Sequence, residues 1–187
     1  MIYCILGMSG AGKTTIAKQI ETLTDTPVLV SYTSRPIRAG EVEGVDYHYV
    51  DNRYFDDNID DFIDIREYTV FDDSIWKYGY KANGIKPKNN DYIAVIDTIG
   101  FKAFKQYFGP DHLCAIVVNS PIERLYERAE KRGDNLLEVK RRIADDKAKI
   151  EEFKKSEEHL NVYNYFEIDF VVMQVKKIIN RGGKING

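Results

Sequence analysis

The chain has 187 residues, with 27 Lys and Arg against 30 Asp and Glu and a formal net charge of −3. That length suits one compact domain with a sizeable core, and the charge balance excludes the basic surface by which nucleic-acid backbones are held, so small anionic ligands fit better. No stretch reaches the roughly 18 apolar residues that span a bilayer and no charged-then-apolar leader opens the chain, while Cys4 and Cys114 lie in apolar runs that suit reduced thiols in the cytoplasm.

Residues 2–6 form an unbroken apolar run, the pattern of a strand buried on both faces. Directly after it stands Gly7-Met8-Ser9-Gly10-Ala11-Gly12-Lys13-Thr14, a complete G-x-x-x-x-G-K-T phosphate loop, followed by a helical pattern to about residue 24. Glycines let the backbone turn its N–H groups toward phosphate oxygens, and the helix start adds its positive end. Lys13 supplies a mobile charge, and Thr14 places a hydroxyl on the Mg²⁺ that bridges two phosphates. The expected ATP site is therefore Gly7, Ser9, Gly10, Ala11, Gly12, Lys13, Thr14 and Thr15, with Mg²⁺ at Thr14.

Residues 28–31 read as a further strand. From 32 to 83 the rhythm breaks into an inserted lobe, with turns at Pro36, Gly40 and Gly44, an acidic helix near 51–61 and aromatic-rich strands near 62–68 and 76–80. Apolar runs at 92–96 and 113–118 continue the parallel sheet, separated by a short helix near 101–108. Ser120-Pro121 opens a helix to Arg132, as an N-cap followed by proline at the first helical position. A polar break at 133–136 leads into a long charged helix to about 158, a last strand is expected at 165–170, and a helix at 171–180 closes the fold. Strand and helix alternate, which is an α/β pattern with a parallel sheet. Asp97 leaves a buried strand at its carboxyl end, where ligands of open α/β sheets bind; capping of the next helix is the competing reading.

Ser31-Tyr32-Thr33-Ser34-Arg35-Pro36-Ile37-Arg38-Ala39-Gly40-Glu41, followed by Gly44-Val45-Asp46-Tyr47-His48-Tyr49, gathers two arginines around a rigid proline with hydroxyls and a tyrosine nearby. Such a pair clamps one phosphate from two sides. This passage resembles the acceptor-binding segment of guanylate kinases, S-x-x-T-R-x-P-R-x-G-E-x-x-G-x-D-Y-x-F, with Ser34 for threonine and Tyr49 for phenylalanine. The phosphate loop, Glu67, Tyr78-Gly79, a strand ending in Asp97 and a helix running into Arg132-Gly133 follow in that family's order.

The resemblance implies a single domain of the P-loop NTPase type. Its core would be about 1–31, 84–132 and 159–181, its acceptor-binding lobe about 32–83 and its helical lid about 133–158. It further implies that Ser31 and Glu67 read guanine, that Arg35, Arg38, Tyr47 and Tyr78 hold the acceptor phosphate, and that Asp97 lies beside the nucleotides. Tyr80 stands where the family usually carries Ser or Thr beside the guanine O6. Arg132 and Arg142 would be the lid arginines that reach the transferring group, with Arg141 the alternative to Arg142. The implied reaction is phosphoryl transfer from Mg-ATP to GMP or dGMP. Such an acceptor phosphate is largely dianionic at neutral pH and needs no general base. Two further readings are a changed acceptor, another nucleoside monophosphate or a phosphorylated sugar, and a non-catalytic protein-binding module. Intact Lys13 and Thr14 argue against the second.

Overall fold

The computed structural model describes residues 1–70, 73–131, 133–165 and 167–183. β1 (Ile2–Gly7) leads through the phosphate loop into α1 (Lys13–Thr24). The inserted segment holds β2 (Tyr32–Thr33), β3 (His48–Tyr49), α2 (Asn52–Asp57), β4 (Phe62–Thr69) and β5 (Ile75–Lys81). β6 (Tyr92–Val95), α3 (Thr98–Phe108), β7 (Leu113–Asn119), α4 (Ile122–Lys131), α5 (Leu136–Ser156), β8 (Leu160–Tyr163) and α6 (Ile168–Asn180) complete the chain.

Four strands pair in parallel in the order β6, β1, β7, β8. β1 lacks alternation because helices cover both of its faces. Tyr3 and Ile5 join Ile16, Ile20, Val171 and Val175 on the side of α1 and α6, whereas Ile2, Cys4 and Leu6 meet Phe101, Phe104 and Phe153 on the side of α3 and α5. The second sheet runs β3, β2, β5, β4; its long antiparallel pair is β4 with β5, and β2 and β3 add only two residues each.

The sequence expectation departs most from the structure at residues 28–31 and at the last strand. Residues 28–31 form no full strand; Val28 makes one parallel bridge to Ile93, and the Leu29 N–H donates to the Ile93 carbonyl at 2.7 Å. The last strand is β8, five residues earlier than its expected start at 165, and α6 already begins at Ile168. Asn164 explains the stop. Its N–H donates to the Asn119 carbonyl and its side chain to the Ala11 carbonyl, so the chain ends its pairing with β7 beside the phosphate loop. Among the described residues no helix is long and apolar enough to cross a membrane.

Candidate active site

β1 delivers Gly7 to the carboxyl end of the parallel sheet, the crevice side of such folds. Donors around the loop take up its carbonyls. Lys13 Nζ reaches those of Gly7 and Met8 at 2.8 and 3.0 Å, Arg128 Nη1 that of Gly10 at 3.0 Å, and Asn164 Nδ2 that of Ala11 at 2.9 Å. What the loop offers a ligand is therefore N–H. Gly12 is the N-cap of α1 and offers no side-chain cap, and the first N–H groups of a helix have no acceptor within it. Gly12 has φ +90°, and a Cβ there would lie 2.9 Å from Asn164 Nδ2, so both the backbone and the space require glycine. Thr14 and Thr15 are exposed at the start of α1. One anion already touches the loop: Asp146 of α5 accepts from the Ser9 N–H at 2.7 Å. Burial lowers the Lys13 pKa, and Asp146 and Asp97 oppose that shift.

In the inserted lobe, Arg35 is buried with its guanidinium over the Tyr47 and Tyr49 rings, 5.3 and 5.9 Å from their centroids. Its fork is taken up within the chain. Nη2 donates to both oxygens of Glu41 at 2.7 and 2.9 Å, and Nη1 donates to the Pro36 carbonyl. Glu41 also accepts from the Arg38 N–H and the Tyr49 hydroxyl. Burial works against ionisation of Glu41, yet these donors together hold its pKa down to about 2. The Arg38 guanidinium and the Tyr47 and Tyr78 hydroxyls have no hydrogen-bond partner among the described residues, and the rings of Tyr47 and Tyr78 meet edge to face at 6.1 Å.

The floor of this lobe is the β4/β5 pair. Paired residues share a face, and the face alternates along each strand. Tyr78 pairs with Arg66 and with Thr33, and Tyr80 pairs with Asp64, so Asp64, Arg66 and Tyr68 lie on the face that carries the Arg35, Tyr47 and Tyr78 group. Glu67 lies on the other face. It pairs with Lys77, whose Nζ is 3.3 Å away and also binds Asp56 of α2, and its side chain is 56% exposed. This register sets Glu67 apart from the Tyr78 face, because an odd-numbered step along a strand reverses the face. Asp64, which the sequence reading passed over, is the carboxylate on the face shared with Tyr78 and Tyr80. It is 9% exposed, and neither oxygen has a hydrogen-bond partner among the described residues. Burial raises its pKa, Arg66 opposes that and Asp97 adds to it.

Asp97 N-caps α3, accepting from the Gly100 N–H at 2.8 Å, and it also takes Arg66 Nη1 at 2.5 Å and the Tyr68 hydroxyl at 2.8 Å. Asp97 thus caps α3 just past the carboxyl end of β6. Tyr80 is buried, its ring edge to face with Phe104 and its hydroxyl donating to the Val95 carbonyl at 2.8 Å, with buried Ser31 beside it. The phenol expected at a base O6 is therefore engaged with the core sheet. A buried ring of that size finds its packing partner in the core, and its one donor must be satisfied there.

On α5, Arg142 Nε donates to Glu138 at 2.8 Å, and Arg141 binds Glu138 and Asp145. Both are held in pairs along their own helix, with Asn135 as N-cap. Arg132 lies outside the described residues.

A model of the guanylate kinase family matches residues 1–181. The guanylate kinase of Zymomonas mobilis is 32% identical over 96% of this chain and 82% of its own length. That of Salinibacter ruber is 34% identical over 71% of each chain. The crystal structure of guanylate kinase from Anaplasma phagocytophilum, 22% identical, superposes with a TM-score of 0.73 over 100% of this chain and 87% of its own, and shares the fold. With the family's description extending from the first residue through the phosphate loop, the inserted lobe and the last helix, the chain belongs to the guanylate kinase family.

Proposed function

We propose that this chain transfers the γ-phosphoryl group of ATP to GMP and dGMP, giving ADP and the guanosine diphosphates. The observation that carries this reading is the buried Asp64 carboxylate, ion-paired to Arg66 but accepting no hydrogen bond among the described residues, on the strand face shared with Tyr78 in a chain whose phosphate loop is intact. Guanine presents adjacent N1–H and N2–H₂ donors that one carboxylate accepts together. The acceptor phosphate meets Arg38, Tyr47 and Tyr78, and Arg35 holds that wall in place through Glu41. Lys13 exchanges the Gly7 and Met8 carbonyls for β- and γ-phosphate oxygens, joined by loop N–H groups as Asp146 withdraws from Ser9. Reaction then depends on in-line placement and charge neutralisation, with no general base.

The Thr14 hydroxyl makes no hydrogen bond among the described residues, and its oxygen suits a hard divalent cation. Mg²⁺ bound there with the phosphates would neutralise charge on the transferring group. Lid arginines Arg142 or Arg141, and Arg132, approach once the lid closes; closure excludes water that would otherwise hydrolyse ATP. The division into a core (about 1–31, 84–132 and 159–181), an acceptor lobe (about 32–83) and a lid (about 133–158) belongs to the same reading, as does a cytoplasmic setting for the two free buried cysteines.

The test is ADP release from ATP with each monophosphate in turn. GMP and dGMP are expected to be turned over well ahead of AMP, CMP and UMP, by roughly 10⁴-fold where a hydrogen-bonding site is left unpaired. Equal turnover of AMP or a pyrimidine monophosphate overturns the assignment.

A further inference from the structure

Arg66 sits between two carboxylates at the junction of the inserted lobe and the core. Its side chain is 12% exposed, with Nη1 on Asp97 and Nε 2.9 Å from Asp64 Oδ2, although that second contact lacks hydrogen-bond alignment. Asp97 is itself fixed by the Gly100 N–H and the Tyr68 hydroxyl, so the guanidinium is anchored. Gly100 makes room for it: a Cβ there would lie 2.5 Å from Nη1. Nη2 keeps two N–H donors with no hydrogen-bond partner among the described residues. The strand places this group on the Tyr78 face, one pleat from Asp64 and directly across from Tyr78. An anchored donor beside an unsatisfied carboxylate is a paired edge, donor next to acceptor. Guanine offers the complement in its O6 and N1–H. The phenol of Tyr80 is spent on the Val95 carbonyl and offers O6 nothing.

We propose that Arg66 is a specificity-determining residue that donates through Nη2 to the O6 carbonyl of the acceptor base, while Asp64 takes the N1–H and N2–H₂ donors. This inference rests on the guanine reading above. Adenine brings an amino group to the same position, so two donors would face each other with no acceptor between them.

A substrate-by-variant comparison tests it, with GMP, 6-thio-GMP and IMP each assayed for kcat/KM. Sulfur is a weak hydrogen-bond acceptor, so the wild type is expected to prefer GMP to 6-thio-GMP by about tenfold, the scale of one net hydrogen bond. Arg66→Met collapses that ratio toward one and leaves the ATP KM unchanged. It also leaves the GMP-to-IMP ratio in place, because the 2-amino group is read by Asp64. Should Arg66→Met fail to fold, Arg66→Lys keeps a cation between Asp64 and Asp97 and still lowers the ratio at least threefold. If Arg66 were only a counter-ion, either variant would slow both guanine substrates equally with the ratio intact, and the inference is then wrong while GMP preference stands. A wild type that does not prefer GMP over AMP sinks the guanine reading as well, which separates the two failures.

Discussion

The phosphate loop and the acceptor lobe are built in opposite ways. In the loop, consecutive residues supply the whole device: turn, N–H groups, Lys13 and helix start are written within eight positions, and neighbours merely occupy the carbonyls. In the lobe, the proposed acceptor face is assembled from Arg38, Tyr47, Asp64, Arg66 and Tyr78, which come from three separate stretches of chain. Local motifs tolerate changes around them, whereas an assembled face depends on register and on every ion pair that sets it.

Lys13→Ala breaks the local device most directly. It is expected to lower kcat by about 10²–10³, the usual cost of removing one group that stabilises transition-state charge, with a melting temperature close to wild type. Near-normal turnover with ATP and GMP would remove the donor site from this loop.

Arg35 and Arg38 separate scaffold from contact within the lobe. Breaking a buried ion pair costs about 3 kcal/mol or more, so Arg35→Ala should appear in denaturant melts as lost stability, because the buried guanidinium goes and Glu41 loses its charged partner. Arg38→Ala should leave the melts alone and cost about 2 kcal/mol in kcat/KM for GMP, as one charge-assisted contact does. A reversal of these two outcomes would show that Arg35 is the phosphate ligand after all.

Asp64 and Glu67 test the register itself. Asp64→Asn is expected to cost about 2 kcal/mol in kcat/KM for GMP, and Glu67→Gln under about 0.5 kcal/mol, since exposed ion pairs contribute little. If the Glu67 change proves the larger, the face assignment of β4 is in error.

Asp146→Asn removes the carboxylate that competes with phosphate for the Ser9 N–H. ATP should bind several-fold more tightly by calorimetry, on the scale of about 1 kcal/mol for a net hydrogen bond; weaker binding would make Asp146 a helper of the loop.

The last comparison is read in acid rather than at neutral pH and concerns Glu41. Its pKa lies near 2 in the folded chain against an ordinary 4.5, so its contribution to stability is full above about pH 5 and is lost as the pH falls toward 2. Glu41→Gln should flatten that part of the acid stability curve. An unchanged curve would deny Glu41 its part in bracing Arg35.

Glu67 and Asp64 show where reading the sequence stops. Both are carboxylates on one strand, and the motif order favours Glu67; only the pairing of β4 with β5 says which faces Tyr78. Tyr80 shows the same limit, because its hydroxyl goes to Val95 on a strand fifteen positions away. The late strand failed for a related reason: the aromatic residues near 165–170 carry β propensity, but pairing with β7 ends at Asn164.

The sequence by itself determined the parallel sheet, the phosphate loop, the inserted lobe and the long charged helix, because unbroken apolar runs, glycine spacing and helical periodicity are local signals that many neighbouring residues repeat. Tertiary structure alone decided which carboxylate shares the face of Tyr78, that Arg35 is held by Glu41, and that Arg66 is anchored between Asp64 and Asp97. Those outcomes depend on strand register and on charges brought together from distant stretches, and a side chain's type does not state its face or its partner.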